Sequence, residues 1–219
     1  MTLSRRYIRG IRENLSFYIS ATVLTVLTLL MFFLYEISGS AILNFSQDFY
    51  ASQALEDANF TTYLPISDED IPKLEDEFDL ELEAQHYINI ETDGVTARVF
   101  SPTEKIDRYA VTQGNDVKNP GDIIISEGYA VKNEVSIGGK ITIGNKDYTV
   151  TGFFQRPDYL YMLENTEDSY KNITTFFLCY MTPEDFDALG GTSVQYLVRY
   201  HGASDAFRTA IYDRYVTAS

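Results

Sequence analysis

The rhythm of apolar and polar positions changes along this chain, and each rhythm predicts a different element. From Phe17 to Tyr35, nineteen residues run without a charge. At about 1.5 Å per helical residue they span roughly 28 Å, close to the hydrocarbon thickness of a bilayer. Phe17, Tyr18 and Tyr35 stand at the ends of the run, where aromatic rings favour the membrane interface. The pattern predicts a transmembrane helix over 17–36. Beyond it, Ile42, Phe45 and Phe49 recur at i, i+3 and i+7, which extends the helix as a stalk over 37–58. The alternative is a signal peptide cleaved near Ser38-Gly39-Ser40. Its apolar core is ordinarily about 7–15 residues, shorter than this run.

Ahead of the span, Tyr7, Ile8, Ile11 and Leu15 fall on one side of a helical wheel and Arg5, Arg6, Arg9 and Arg12 on the other. Residues 1–16 read as a cytoplasmic amphipathic segment lying in the headgroup layer. An arginine-rich flank with no docking role fits the same residues. Inside the span, Ala21, Thr25 and Thr28 make a narrow small-residue stripe. It suits close helix packing, or threonines that bond back to their own backbone.

From about Asn59 the pattern becomes mixed. Phe60–Ile66 is a strand candidate. Ile71, Leu74 and Phe78 mark a helix face, with Pro72 in its first turn and the cap nearer Asp70 than Ser67. Leu80, Leu82 and Ala84 alternate with acids into Tyr87–Ile90, and Thr92-Asp93-Gly94 turns the chain into Val95–Phe100, a hairpin. Gly121–Ser126, two short runs within Val135–Ile143 and then Asp147–Phe154 are further strands between glycine turns, a small β unit inserted over about 101–171. Asn59-Phe-Thr-Thr-Tyr leads to Ser67–Leu74, and Asn172-Ile-Thr-Thr-Phe leads to Thr182–Leu189. The second helix has Thr182 as cap, Pro183 at the first position and Gly190 past its end. Each capped helix precedes an alternating run, Leu80–Ile90 and Val194–Tyr200. Two β-α-β units imply an α+β domain over 59–219 with helices on one sheet face. Duplication and chance similarity both account for the likeness.

Charge orients these elements. The whole chain carries −15, residues 1–16 carry +3, and the remainder therefore carries −18. The basic flank belongs in the cytoplasm and the acidic bulk outside it, at the cell membrane. Such acidity argues against nucleic acid as a partner. It would attract a cationic peptide, although it also serves plain solubility. One cysteine excludes an internal disulfide framework.

Candidate chemistry is sparse. No nucleotide-binding loop, G-x-S-x-G or H-E-x-x-H occurs. His86 and His201 stand beside tyrosines without an acid–base constellation and read as packed or hydrogen-bonded side chains. Cys179 sits in an apolar run and reads as a buried hydrophobe. Asp68, Glu69, Asp70, Glu75, Asp76, Glu77 and Asp79 suit a solvated helix face better than a calcium loop. Asn44, Asn59 and Asn172 are glycosylation sequons only in a host that glycosylates. The loop from Arg156 to Lys171 carries Tyr159, Tyr161 and Tyr170, as a recognition surface or as a cover for the sheet. No catalytic, cofactor-binding or metal-ligating residue is indicated, and no cofactor.

Asp122-Ile-Ile-Ile-Ser-Glu-Gly-Tyr-Ala130, Val135-Ser-Ile-Gly-Gly-Lys-Ile-Thr-Ile143 and Tyr148-Thr-Val-Thr-Gly-Phe-Phe154 follow a recurring pattern. It is a strand, an S-x-x-x-A helix, G-x-x-I-x-I, and a Y-x-V-x-G strand. With the membrane helix and stalk, it resembles the N-terminal half of FtsX/MacB-type ABC transporter permeases. That resemblance implies a non-catalytic membrane subunit that relays motion from a cytoplasmic ABC ATPase to a porter-like βαβ-repeat domain outside the membrane. Its implied partners are that ATPase, a second permease copy or homologue, the lipid bilayer and a cell-envelope protein or peptide. The family carries three further membrane helices after the outer domain; Ser204–Tyr215, with Phe207, Ala210, Ile211 and Tyr215 on one face, would lead to the next. This chain then stands for the N-terminal part. A single-pass membrane-anchored extracellular binding or adhesion module, and a membrane-anchored enzyme, remain the other classes.

Overall fold

The computed structural model describes residues 10, 12–159, 174–202 and 205–216. The chain divides into two compact units, Met1–Phe49 and Tyr50–Ser219.

The first unit is most of one helix, α1 (Leu15–Gln53, 39 residues), with no buried residue along its length. It is long and apolar enough to cross a membrane. It runs without a break through Ser38-Gly39-Ser40, and at about 1.5 Å per residue measures roughly 58 Å. Thr25 and Thr28 donate their hydroxyls to the carbonyls of Ala21 and Leu24, at 2.8 and 2.9 Å. Those bonds satisfy the hydroxyls within the helix itself, as an apolar surrounding requires. Tyr7, Ile8, Ile11 and most of the segment before Arg12 lie outside the described residues.

The second unit is mixed α and β. Its strands are β1 (Ala58–Phe60), β2 (Leu80–Thr92), β3 (Val95–Phe100), β4 (Ala110–Gly114), β5 (Asp122–Ser126), β6 (Lys140–Ile143), β7 (Lys146–Gln155), β8 (Phe176–Met181) and β9 (Ser193–Tyr200). Its short helices are α2 (Ile71–Phe78), α3 (Glu127–Lys132), α4 (Pro183–Leu189) and α5 (Asp205–Ile211), the last followed by a π-turn, Tyr212–Val216. All nine described strands join one sheet in the order β1-β9-β2-β3-β8-β5-β7-β4, with β6 also on β7. β4 pairs the end of β7 at Gly152–Gln155 and β6 pairs its start at Lys146–Thr149. The expected inserted segment, 101–171, thus supplies β4 to β7 at one end of the common sheet.

The β1-α2-β2 unit straddles β9, which runs antiparallel to both strands. In the β8-α4-β9 unit, β2 and β3 lie between the two strands. The β2–β3 hairpin turns through Asp93 and Gly94, both with positive φ (53° and 77°), the requirement of a type I′ turn. α2 starts after Asp70 as expected, but the Asp70 side chain bonds Ser67 Oγ and Lys73 Nζ and leaves the helix end uncapped. Thr182 caps α4 by accepting from the Asp185 N–H.

Two strand expectations fail. The first strand ends at Phe60, not Ile66: Pro65 has no N–H to give, and the Ile66 N–H donates to the Tyr196 hydroxyl at 2.6 Å. Of the runs in Val135–Ile143 only Lys140–Ile143 is a strand, because a turn over Ser136–Gly139 uses the Gly139 N–H and hands Gly138 N–H to Val150.

Even-numbered positions of β2 face the short helices. Leu80 and Leu82 pack with Leu74 of α2 and with Phe207 and Ile211 of α5. Ile88 and Ile90 join the cluster holding Tyr129 of α3 and Phe186 of α4. The opposite face is lined by Phe100, Ile124, Phe154, Phe176, Leu178 and Tyr180. Among the described residues it carries no short helix; the loops around residues 101–109 and 156–159 cover it.

Candidate functional site

The helix-free face holds a buried arginine, and the carboxyl end of α1 is fastened beside it. Every contact described here lies within the second unit, which begins at Tyr50.

α1 ends in a Schellman motif. Leu55 N–H bonds Tyr50 carbonyl and Ala54 N–H bonds Ala51 carbonyl, with Ala54 in the left-handed region at φ 55°. A helix leaves its last four carbonyls without internal partners. The motif satisfies two, and the loop before β4 satisfies the others: Arg108 N–H bonds Gln53 carbonyl at 3.0 Å and Arg108 Nη2 bonds Ser52 carbonyl at 2.5 Å. Asp107 N–H then bonds Ala54 carbonyl, and Glu56 N–H returns to Asp107 Oδ1 at 2.8 Å.

That loop is itself held by β2. The Glu83 carboxylate accepts three successive backbone N–H groups, from Glu104, Lys105 and Ile106, at 2.6, 3.0 and 2.7 Å. A backbone nest of this kind is a ready anion cradle, here filled by the protein's own side chain.

Arg156, just past β7, has a fully buried side chain. Its guanidinium makes a two-pronged bond to Asp158 (both 2.7 Å), donates to the Tyr180 hydroxyl at 2.8 Å and to Gln85 Oε1 at 3.1 Å, and lies 3.8 Å from Asp107 Oδ2. It sits 4.3 Å over the Phe100 ring. Gln195 of β9 also donates to Gln85 Oε1. Burial opposes the arginine's charge, but Asp158 more than offsets this and holds the guanidinium firmly protonated. Burial first, then the charges of Asp158 and Glu56, pushes the Asp107 carboxyl up to about 8. Burial likewise raises Glu56. One arginine therefore faces three carboxyls, which makes the cluster rich in acid and able to hold or release a proton.

The cluster joins β1, β2, β3, β8, the β7 exit and the end of α1. It ties these elements to one another through ion pairs and hydrogen bonds.

The residues noticed in the sequence lie mostly elsewhere. Tyr159 is half-buried, packs edge-on against Phe100, and its hydroxyl accepts from Arg98 Nη1 at 2.8 Å, so it covers the sheet; Tyr161 and Tyr170 lie outside the described residues, as does Asn172. His86 is exposed, with Nδ1 3.5 Å from Thr192 Oγ1, and His201 Nε2 is 3.9 Å from Glu81. Neither is a packed histidine, because both stand where the sheet meets solvent. Cys179 is fully buried and burial pushes its thiol up. Three of the helix acids form ion pairs, Asp70 with Lys73 in its own helix, Glu75 with Lys105 and Glu77 with Arg214 across the fold. An open cavity of about 370 Å³ is lined by His86, Ser101, Pro102, Phe186, Asp187 and Thr192.

Sequence reasoning missed Asp107, Glu83 and Gln85 altogether and read Arg156 only as the start of a loop. One signal existed: Arg156-Pro157 follows the apolar Gly152-Phe-Phe154 with only Gln155 between, in an acidic chain. Nothing in the sequence distinguishes Asp107 from the other acids.

The chain matches no protein-family model and no curated protein.

Proposed function

We propose that this chain is the N-terminal part of an ABC transporter permease subunit of FtsX/MacB type, set in the cell membrane with its sheet unit outside the cytoplasm. In this reading α1 crosses the bilayer, and its carboxyl end delivers motion from a cytoplasmic ATPase to a porter-like βαβ-repeat domain. The observation that carries it is the junction: Arg108 and Asp107 bond the carbonyls of Ser52, Gln53 and Ala54, while Glu83 holds their loop on β2. A flexible tether would need none of these bonds; a transmitted displacement needs them all. The basic flank, the apolar run and the short motifs around β5 to β7 support the same reading.

The test is purification of the tagged chain from its own membranes in mild detergent. Recovery of a stoichiometric cytoplasmic ATP-binding subunit is expected, and Arg108→Ala, which alters only the far end of α1, should leave that recovery intact. A chain that stays in the membrane and brings down no ATPase overturns the proposal. The cavity at His86 and Asp187 favours a second reading, a single-pass anchored binding module.

A further inference from the structure

Glu56 Oε2 and Asp107 Oδ2 are buried, and neither has a hydrogen-bond partner. Their other oxygens are taken: Asp107 Oδ1 receives the Glu56 N–H, and Glu56 Oε1 receives Asn59 Nδ2 at 2.5 Å. The 2.8 Å bond from the Glu56 N–H to Asp107 Oδ1 nevertheless brings the two residues together, and the charge of Glu56 acts on Asp107. Two ionised carboxylates have no hydrogen to place between them, so a bond between them requires one to be protonated. The surroundings do not remove the need. Arg156 is committed to Asp158, Tyr180 and Gln85, and reaches Asp107 only at 3.8 Å.

We propose that Glu56 and Asp107 share one proton, and that this proton fastens the carboxyl end of α1 to the sheet. With it in place, Asp107 clasps the helix end by three contacts: its N–H to Ala54 carbonyl, its Oδ1 to Glu56 N–H, and the shared hydrogen to the Glu56 carboxyl. Without it, two like charges face each other in a buried setting that also holds Asp158. The groups facing the pair are Asn59 of β1, Gln85 of β2, Tyr180 of β8, and Arg156, Asp158 and Tyr159 beyond β7. Of the cations, Arg156, 3.8 Å from Asp107, is already matched by Asp158, and Arg108 of the same loop places its guanidinium on the Ser52 carbonyl. The inference concerns this fastening alone and stands whether or not the chain serves a transporter.

The sign follows from proton linkage. Asp107 binds its proton more tightly when the clasp is closed, its carboxyl standing at about 8 against 3.8 in water. The contribution is complete below the lower value and declines as pH rises towards the upper one. Opening therefore becomes about tenfold easier per pH unit across that window and levels off above it.

Hydrogen exchange on the full chain in lipid nanodiscs tests this, read residue by residue at the amides of Glu56, Asp107 and Arg108 and corrected for intrinsic exchange. Their protection should drop at least a hundredfold from pH 5.5 to pH 8.5, while β5 amides stay constant. In Asp107→Asn the amide Nδ2–H replaces the shared hydrogen, so protection should stay at its acid value throughout. Glu56→Gln supplies the same replacement from the other side if the first variant folds poorly. Protection in the unaltered chain that does not change with pH overturns the proposal, as does an amide variant with the unaltered chain's slope.

Discussion

Arg156 concentrates the largest residue-scale consequence in the molecule. Taking away one member of a buried ion pair leaves the other charged and unmatched, which costs about 3–5 kcal/mol. Arg156→Leu should therefore destabilise the sheet unit by that amount, measured by urea unfolding. Arg156→Lys should recover only part, since a lysine cannot make the two-pronged bond to Asp158. Glu83→Ala strips three backbone N–H groups of their acceptor. Two of those groups stay near solvent, so the expected loss is about 2 kcal/mol. Glu83→Gln should fall between, because one amide oxygen remains. A Glu83→Ala protein as stable as the original would show that the loop holds itself. Gly114 has φ +78°, and an added Cβ would stand 2.4 Å from Thr151 carbonyl. Gly114→Ala should free β4 from β7, which exchange at the β4 amides would register.

Among elements, the 3.6-residue and two-residue rhythms did most of the work. Helix α1 was legible because nineteen uncharged residues have few other uses. β2, β3 and their turn were legible because alternation and Asp93-Gly94 speak for themselves locally. Phe60–Ile66 was misjudged because apolar content suggests a strand while the edge of a sheet decides where it stops: Ile66 N–H is claimed by Tyr196, 130 residues later. Val135–Ile137 failed for a similar reason, its backbone being drawn into a turn against Val150. The pairing order could not be read at all, since β8 lies parallel to β3 but antiparallel to β5. The Arg156 cluster was hidden for the same cause. Its members stand at positions 56, 85, 107, 156 and 180, and only the assembled sheet brings them together.

For the molecule as a whole, the two units differ in where their large apolar side chains lie. α1 exposes Leu24, Met31 and Phe32 at 68%, 68% and 56%, whereas the sheet unit hides its large apolar side chains in three clusters. The full chain should stay with membranes through alkaline carbonate washing. A chain beginning at Tyr50 should be soluble and unfold in one cooperative step, as circular dichroism would record. Release of the full chain by carbonate would remove the membrane reading. With −18 beyond residue 16, any cationic peptide that binds should dissociate faster as salt is raised.

The order of these residues along the chain sets an order in time. A ribosome produces α1 first, and its greasy stretch can enter lipid long before Arg156 and Tyr180 exist. The helix end then waits, with Ser52 and Gln53 carbonyls bare, until the loop at Arg108 emerges and the strands behind it close. Attachment of the helix thus cannot precede synthesis of the loop at Arg108, and a nascent protein arrested before that loop would carry the long apolar helix with its carboxyl end unfastened.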